Sequence, residues 1–420
     1  MNKLNTMLAG AGIALLGAVG ANLAMAQPVD DGHNVSDDYD VIAKGQYLAT
    51  LGDCAACHTL PGGKELAGGV AINTPFGKLV APNITPDQAT GIGSWNYEQF
   101  KKAMTKGVAP VGHLYGAMPY TAYTRVKDSD LQALWQYLQT VQPVSNDIKA
   151  NQLPFPFNIR LSLIGWNLLN FHPGEFKPDP HKSAEWNRGA YIVEGLGHCG
   201  TCHTPKNIIG GDKNSEFLQG SSLENWTIPN ITPDKQKGVG SWSTQDLVDY
   251  LKTGVNKYTI ASGPMAEEVH NSSQYWSDAD LKAVAVYLKE GDGHTTQTEA
   301  PKPLASDNPH MVAGKHIYED RCSACHTPDG AGVKGLFPRL ADNPLIRQDD
   351  TTSLMHVVLA GARAGAVDSR PTAPSMPAFG WEMTDQNIAD VLTYIRNSWG
   401  NAAAPVSASD VSKLRSTMGE

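Results

Sequence analysis

The sequence predicts an all-α chain built from three small helical modules in tandem, and three observations predict it. The same short motif, Cys-x-x-Cys-His, occurs at Cys54/Cys57/His58, Cys199/Cys202/His203 and Cys322/Cys325/His326. Ahead of each lies a glycine-containing helical stretch: Gly45-Gln46-Tyr47-Leu48, Gly189-Ala190-Tyr191-Ile192 and Gly314-Lys315-His316-Ile317-Tyr318. Behind each lies a helix with apolar residues at i, i+3, i+4 and i+7, the pattern of one buried face. Leu131/Leu134/Trp135/Leu138 align there with Leu281/Val284/Ala285/Leu288 and Ile388/Val391/Leu392/Ile395. Tyr137, Tyr287 and Tyr394 share one position, and a glycine facing an aromatic suits two closely crossing helices.

The 420 residues are 41% apolar and 18% charged, which excludes a disordered chain or a fibre. The net charge is −9 with no run of Lys/Arg, so nucleic acid is not expected as a partner. At the start, Lys3, the apolar stretch Met7 to Ala24 and Ala24-Met25-Ala26 read as an export signal over residues 1–26, which predicts a periplasmic protein. An uncleaved anchor is the competing reading; Asn22 and the many Gly/Ala would make a poor spanning helix. Leu153 to Phe171 is the longest apolar stretch elsewhere, but Pro154, Pro156, Arg160 and several Asn interrupt it.

All six cysteines fall in the three motifs, so none is left for a disulfide. Cys-x-x-Cys-His is the attachment signature of c-type haem. Residues i and i+3 share a face of one helical turn, so both thiols meet one porphyrin and the adjacent imidazole turns to the iron. A redox dithiol needs one such pair, and a zinc ribbon needs two pairs close together rather than over a hundred residues apart. Gly195-Leu196-Gly197-His198-Cys199-Gly200 also matches G-x-G-x-x-G, but it lies inside the second motif and reads as coincidence. The expected cofactors are three haems c, covalently held in three tandem cytochrome c domains: 38–145, 184–292 and 308–400. An apolar linker (146–183), a polar linker (293–307) and a loose tail (401–420) complete the chain; Ser409 to Met418 has the option of a short helix.

A low-spin haem needs a second axial ligand, and methionine raises its potential. Gly107 to Met118 and Gly254 to Met265 are equally long, while Gly361 to Met376 carries four extra residues. Met118, Met265 and Met376 are therefore the expected sixth ligands. Met104 and Met355 read as core, and His113 and His270 are rivals with no counterpart in the other modules. Pro61, Pro205 and Pro328 closely follow the haem histidines, so a carbonyl of that turn is expected to hold the second ring N–H. Pro82-Asn83-Ile84-Thr85-Pro86-Asp87 and Gly93-Ser94-Trp95 match Pro229-Asn230-Ile231-Thr232-Pro233-Asp234 and Gly240-Ser241-Trp242. These loops are read either as a haem-edge wrap in which Asn and Trp bind a propionate, or as turn chemistry alone. Module three has Leu336-Phe337-Pro338-Arg339-Leu340 instead. In the linker, Arg160, Asn167 and Asn170 form a narrow polar stripe on an otherwise apolar helix. That helix is expected to dock on a partner subunit or a lipid surface, or else to pack on its own modules.

The pattern resembles the three-haem cytochrome c subunits of membrane-bound bacterial alcohol, gluconate, sorbitol and fructose dehydrogenases. The likeness rests on Leu51-Gly52-Asp53-Cys54-Ala55-Ala56-Cys57-His58-Thr59, the two Pro-Asn-Ile-Thr-Pro-Asp loops, Ala117-Met118-Pro119-Tyr120, Gly263-Pro264-Met265 and Met376-Pro377-Ala378-Phe379. The resemblance implies a separate large subunit using PQQ or FAD, a small third subunit in some complexes, and ubiquinone in the cytoplasmic membrane as acceptor. It implies peripheral attachment at the periplasmic face and no catalytic residues in this chain. The same cytochrome type also accompanies molybdenum hydroxylases. A free periplasmic carrier and a haem peroxidase are the alternatives; the peroxidase needs an iron with an open site.

Overall fold

The computed structural model describes residues 35–149, 151–293, 295 and 297–418; the expected export signal, 1–26, lies outside them. Three helix pairs organise the chain: Val35–Leu51 with Asp128–Thr140, Ala184–Tyr191 with Asp278–Glu290, and Pro309–Arg321 with Asp385–Arg396. The paired glycine and tyrosine set each crossing. A Cβ on Gly45, Gly189 or Gly314 would stand 2.1, 2.0 or 2.1 Å from the carbonyl oxygen of Ala133, Ala283 or Asp390. The Cβ of Tyr137, Tyr287 and Tyr394 is a further close neighbour in each case. Only hydrogen on Cα fits there, so the backbones pack in contact.

The pairs feed into the haem motifs through different local devices. Asp53 and His198, just before Cys54 and Cys199, take left-handed backbone (φ 48° and 39°), which Asp and His tolerate better than most residues. The second stretch is one residue longer between Gly189 and Cys199 than the first is between Gly45 and Cys54. A π-helical turn at Ile192–Leu196 absorbs the extra residue without shifting the motif.

Four two-stranded antiparallel sheets qualify the all-α expectation among the described residues. They lie in the loops, at Ala71–Thr74/Gly77–Val80, Val108–Ala109/Gly112–His113, Ser221–Leu223/Trp226–Ile228 and Ala362–Arg363/Ser375–Met376. Each lets a loop reverse while pairing its own backbone groups. The tail is not loose: Ala408–Met418 is a helix with Val411 and Leu414 buried against the third pair. Arg415 clamps it to Asp385 (2.8 Å) and to the carbonyls of Gly380 and Met383.

Pairs one and two share one core, in which Leu48, Leu131 and Leu134 join Ile192, Leu281 and Val284. Their interface is reciprocal. Tyr47 donates to Asp280 (2.7 Å), and the equivalent Tyr191 donates to the equivalent Asp130 (2.6 Å). Arg188 forks onto Asp280 (2.7 and 2.8 Å), and Lys44 reaches Asp130 at 2.5 Å. Burial alone would raise the Asp280 pKa; the Arg188 guanidinium and the Tyr47 hydroxyl outweigh it and hold it below the usual carboxylate value. A depressed carboxyl stabilises fully above its unfolded pKa of about 3.9, and that contribution disappears as the pH falls through the lower folded value. Arg188→Met is therefore expected to cost about 2 kcal/mol at pH 7, discounted from a fully buried pair because Arg188 is partly exposed. Denaturant unfolding should show the loss at pH 7 and its disappearance in acid. Pair three has its own core, including Tyr318, Leu359, Ile388 and Leu392.

Candidate haem sites

The first cysteine of each motif, Cys54, Cys199 and Cys322, is half-buried. His58 and His326 are buried and His203 is half-buried. Cys57, Cys202 and Cys325 are all exposed to solvent. Module three departs furthest. Cys322 ends the helix Pro309–Arg321, and the turn Ser323–His326 holds Cys325, whose N–H donates to the Cys322 carbonyl (3.2 Å). In modules one and two the whole motif, Cys54–His58 and Cys199–His203, is helical.

The three imidazoles share one arrangement. Nδ1 of His58, His203 and His326 donates to the carbonyl of Pro82 (2.7 Å), Pro229 (2.7 Å) and Pro338 (2.9 Å). Burial holds the three pKa values below the ordinary histidine value, with the carbonyl bond only partly opposing it. Each ring is then neutral at pH 7 with its proton on Nδ1. That leaves the Nε2 lone pair for a metal, the tautomer a ligating histidine needs.

The carbonyls are not those expected from Pro61, Pro205 and Pro328. They come from the first proline of each Pro-Asn-Ile-Thr-Pro-Asp loop and, in module three, from Phe337-Pro338. Three glycines that sequence reasoning missed bring these prolines in. The N–H groups of Gly68, Gly220 and Gly332 donate to the carbonyls of His58 (2.7 Å), His203 (2.8 Å) and His326 (3.0 Å). All three have positive φ (75°, 95° and 65°). A Cβ there would stand 2.5 Å from Pro82–Asn83 backbone, 2.9 Å from the Ile228 carbonyl oxygen and 2.4 Å from the Phe337 carbonyl oxygen. Their distances from the motif differ in every module, so no fixed spacing marks them. The loop asparagines serve turn chemistry. Asn83 Oδ1 accepts from Thr85 N–H and hydroxyl (2.9 and 2.7 Å), and Asn230 does the same with Thr232 (2.8 and 2.7 Å). The matching Trp242 Nε1 is buried and has no partner.

The methionine loops each start at a glycine with positive φ, Gly107, Gly254 and Gly361, and close back on it. Leu114 N–H donates to Gly107 (2.8 Å), Ala261 N–H donates to Gly254 (2.7 Å), and Ala362 pairs with Met376. Met118 and Met265, both half-buried, adjoin the shared core along with Cys54 and Cys199, and Met376 adjoins the third core with Cys322. Met104 and Met355 are themselves core, each 5% exposed. His270 is exposed, and its Nδ1 donates to the Ala366 carbonyl (2.7 Å). His113 Nδ1 is buried without a partner, and the His113 carbonyl accepts from Arg160 (2.7 Å).

Motifs one and two face each other. The Leu196 side chain lies 3.1 Å from where a Cβ on Gly52 would be. Tyr123 and His198 both hydrogen-bond the Gly52 carbonyl (3.2 and 3.3 Å). Two half-buried carboxyls stand beside them, Asp53 and Glu268. Loss of water around them pushes them up to about 8 and about 7, and the Glu268 charge adds to the Asp53 shift. Glu268 belongs to no motif, and Asp53, though next to Cys54, gives no sign in the sequence of the carboxyl that meets it.

A helical chain carrying Cys-x-x-Cys-His at an inward-turned, carbonyl-anchored histidine is a c-type cytochrome. Comparison with known proteins agrees: the cytochrome c family matches residues 42–142 and 311–399. Over 423 residues the chain is 41% identical to the gluconate 2-dehydrogenase cytochrome c subunit of Pantoea cypripedii, covering 96% of this chain and 95% of that protein. It is 40% identical to the fructose dehydrogenase cytochrome subunit of Gluconobacter japonicus (89% and 82% covered). It is 38% identical to the cytochrome c subunit of the quinone alcohol dehydrogenase of Gluconobacter oxydans (94% and 86%). The chain belongs to the family of cytochrome c subunits of gluconate, alcohol and fructose dehydrogenases.

Proposed function

We propose that the chain holds three haems c, on Cys54/Cys57, Cys199/Cys202 and Cys322/Cys325, as the electron-transfer subunit of a quinone-linked dehydrogenase. The axial pairs are His58 with Met118, His203 with Met265, and His326 with Met376. The bound group supplies one-electron chemistry between ferric and ferrous iron. The protein fixes each imidazole through a proline carbonyl, excludes water with the apolar cores, and sets the second ligand by a glycine-anchored loop. The observation carrying this reading is the threefold histidine–proline bond, built by three different loop lengths. Electrons would enter from a catalytic subunit using PQQ or FAD and leave to ubiquinone at the periplasmic face of the cytoplasmic membrane. The facing of motifs one and two supports rapid exchange between those two haems.

Likeness to a longer nicotinate dehydrogenase chain of Pseudomonas putida, 39% identical over 85% of this chain and 30% of that protein, favours a second reading. In it the same wire serves a molybdenum hydroxylase. A free periplasmic carrier would instead purify without any catalytic subunit. One experiment tests the haem count. The chain, exported and matured in a host that attaches haem c, is weighed intact and assayed for haem. The expected mass is the polypeptide plus three haems, falling by one haem in each double Cys→Ala variant. A colourless protein with the polypeptide mass refutes the reading.

A further inference from the structure

The carbonyl that anchors His203 is held from outside its own module. Pro229, whose carbonyl accepts from His203 Nδ1 (2.7 Å), sits between Thr227 and Asn230, and module three grips both. Thr227 N–H donates to Ser353 Oγ (2.7 Å), and that hydroxyl donates back to the Thr227 carbonyl (3.2 Å). The Thr227 hydroxyl accepts from Ser353 N–H and donates to the Asp350 carbonyl (3.2 Å each). Ser353 lies in the first turn of the helix Thr352–Ala360, whose cap residue Thr351 makes no side-chain bond. Module two thus satisfies an orphan N–H at the start of a module-three helix. On the other side, Asn230 N–H donates to Gln348 Oε1 at the longer distance of 3.4 Å. Gln348 is itself pinned: the buried Arg396 of the closing helix donates to the carbonyls of Ile346 (2.7 Å) and Gln348 (2.8 Å).

Module one repeats the device with a different partner. Val80 stands two residues ahead of Pro82, as Thr227 stands two ahead of Pro229. Its N–H donates to Asn151 Oδ1 (2.9 Å), a side chain of the following linker. The same backbone N–H is therefore closed in both modules by a side chain from later in the chain. The two closing segments are unrelated, so what recurs is the placement of the proline carbonyl. A carbonyl that accepts from a ligating imidazole fixes the ring and makes the other nitrogen a stronger donor. A stronger donor favours ferric iron and lowers the potential.

We propose that Ser353, with Gln348 on the other flank, is a positioning residue for His203: set in module three, it acts through Pro229 and tunes the second haem across the module boundary. The inference rests on the proposed haem at Cys199, Cys202 and His203.

The test uses the full chain with its haems, as wild type, Ser353→Ala, Ser353→Thr, Gln348→Leu and Arg347→Met. Arg347 Nε donates to the Gln236 carbonyl (3.1 Å) across the same boundary. Its variant loosens the modules without touching Thr227 or Asn230. Intact mass first establishes a haem at Cys199/Cys202; its absence would refute the function proposed above and this inference with it. With that haem present, spectroelectrochemical titration resolves the midpoints, the second haem being the component missing from a Cys199→Ala/Cys202→Ala variant. Ser353→Ala lets the Pro229 carbonyl drift and weakens the histidine bond. It is expected to ease reduction of the second haem about threefold, ~28 mV for one electron, with the other midpoints unmoved. The His203 Nδ1 proton should also exchange faster with solvent. Gln348→Leu should move the same midpoint in the same direction, and Ser353→Thr, which keeps the hydroxyl, should recover at least half of the shift. Arg347→Met should leave that midpoint in place. An unmoved or lowered midpoint in Ser353→Ala, no recovery in Ser353→Thr, or an equal shift in Arg347→Met would make the contact a tether between modules and overturn the inference.

Discussion

Gly314→Val is expected to melt the third helix pair while leaving the first two folded, whereas Gly189→Val should unfold pairs one and two together. The reason is the contact between backbones. A Cβ on Gly314 would stand 2.1 Å from the Asp390 carbonyl oxygen and 2.7 Å from Tyr394 Cβ, and on Gly189 it would stand 2.0 Å from the Ala283 carbonyl oxygen. Neither obstacle is the end of a flexible side chain, so the helices must separate along their crossing. Replacing glycine in a helix returns at most about 1 kcal/mol of propensity. Overpacking against backbone costs more, about 3 kcal/mol or above for a branched side chain. The different reach of the two variants follows from the cores. Leu281 and Val284 share a cluster with Leu48 and Leu134, while Ile388 and Leu392 belong to a separate one. Hydrogen exchange by peptide would show the difference. Gly314→Val should lose protection over 309–396 and the tail helix 408–418 alone, and Gly189→Val over both 35–51 and 278–290. Equal loss everywhere, or none, would contradict the close-crossing account.

The crossing is legible in the sequence because a glycine recurs ahead of each motif and a tyrosine keeps one place in each closing helix, where position along the helix fixes the face. The haem cysteines and histidines are legible for the same reason, their chemistry demanding one helical turn. How far each cysteine is buried is not, because Cys54 and Cys57, or Cys322 and Cys325, differ only in how the turn sits on the module beneath it. The carbonyl anchors are hidden too. Pro82, Pro229 and Pro338 follow their histidines by different stretches of chain, and the glycines that admit them are spaced differently again. Loops reach one endpoint by unequal routes, so only the folded chain reveals the equivalence. The tail reads as loose because Val411, Leu414 and Arg415 are sparse signals that acquire meaning only once Asp385 and the Gly380 and Met383 carbonyls face them.

Substituting Phe155, Leu161, Leu168 and Leu169 together by Ser or Gln is expected to move the chain from the membrane fraction to the soluble one. The linker helix Ser162–Asn170 is docked by its polar stripe. Arg160 donates to the His113 carbonyl (2.7 Å), Tyr120 donates to Asn167 (2.7 Å), and Asn207 donates to Asn170 (2.8 Å). Trp166 Nε1 donates to the Ile209 carbonyl (2.8 Å). With the polar side turned inward, the apolar side faces out. Leu168 is 83% exposed and Phe155 79%, and Ile208 on the adjoining loop is 96% exposed. Packing of this linker on its own modules, one of the sequence readings, holds for the polar stripe, for Leu163, and for Phe157, Trp166 and Phe171, whose rings meet Phe76 and Tyr120, and leaves Leu161, Leu168 and Leu169 outside. No acidic residue lies between Asp147 and Glu175, while Lys149 and Arg160 do, in a chain of net charge −9. An apolar face without acidic groups suits an anionic lipid surface better than a watery one. No helix among the described residues is long and apolar enough to cross a membrane, so this face would lie in the interface plane. Half-immersed, four such side chains contribute on the order of 4 kcal/mol, a partition ratio of about a thousandfold. Being exposed, they can be replaced with little effect on folding, within about 0.5 kcal/mol each. Flotation with vesicles containing an anionic lipid, using the whole complex, reads the outcome. Loss of vesicle binding with subunits still associated supports lipid contact. If the complex instead splits and the cytochrome stays with lipid, the face is where the catalytic subunit sits.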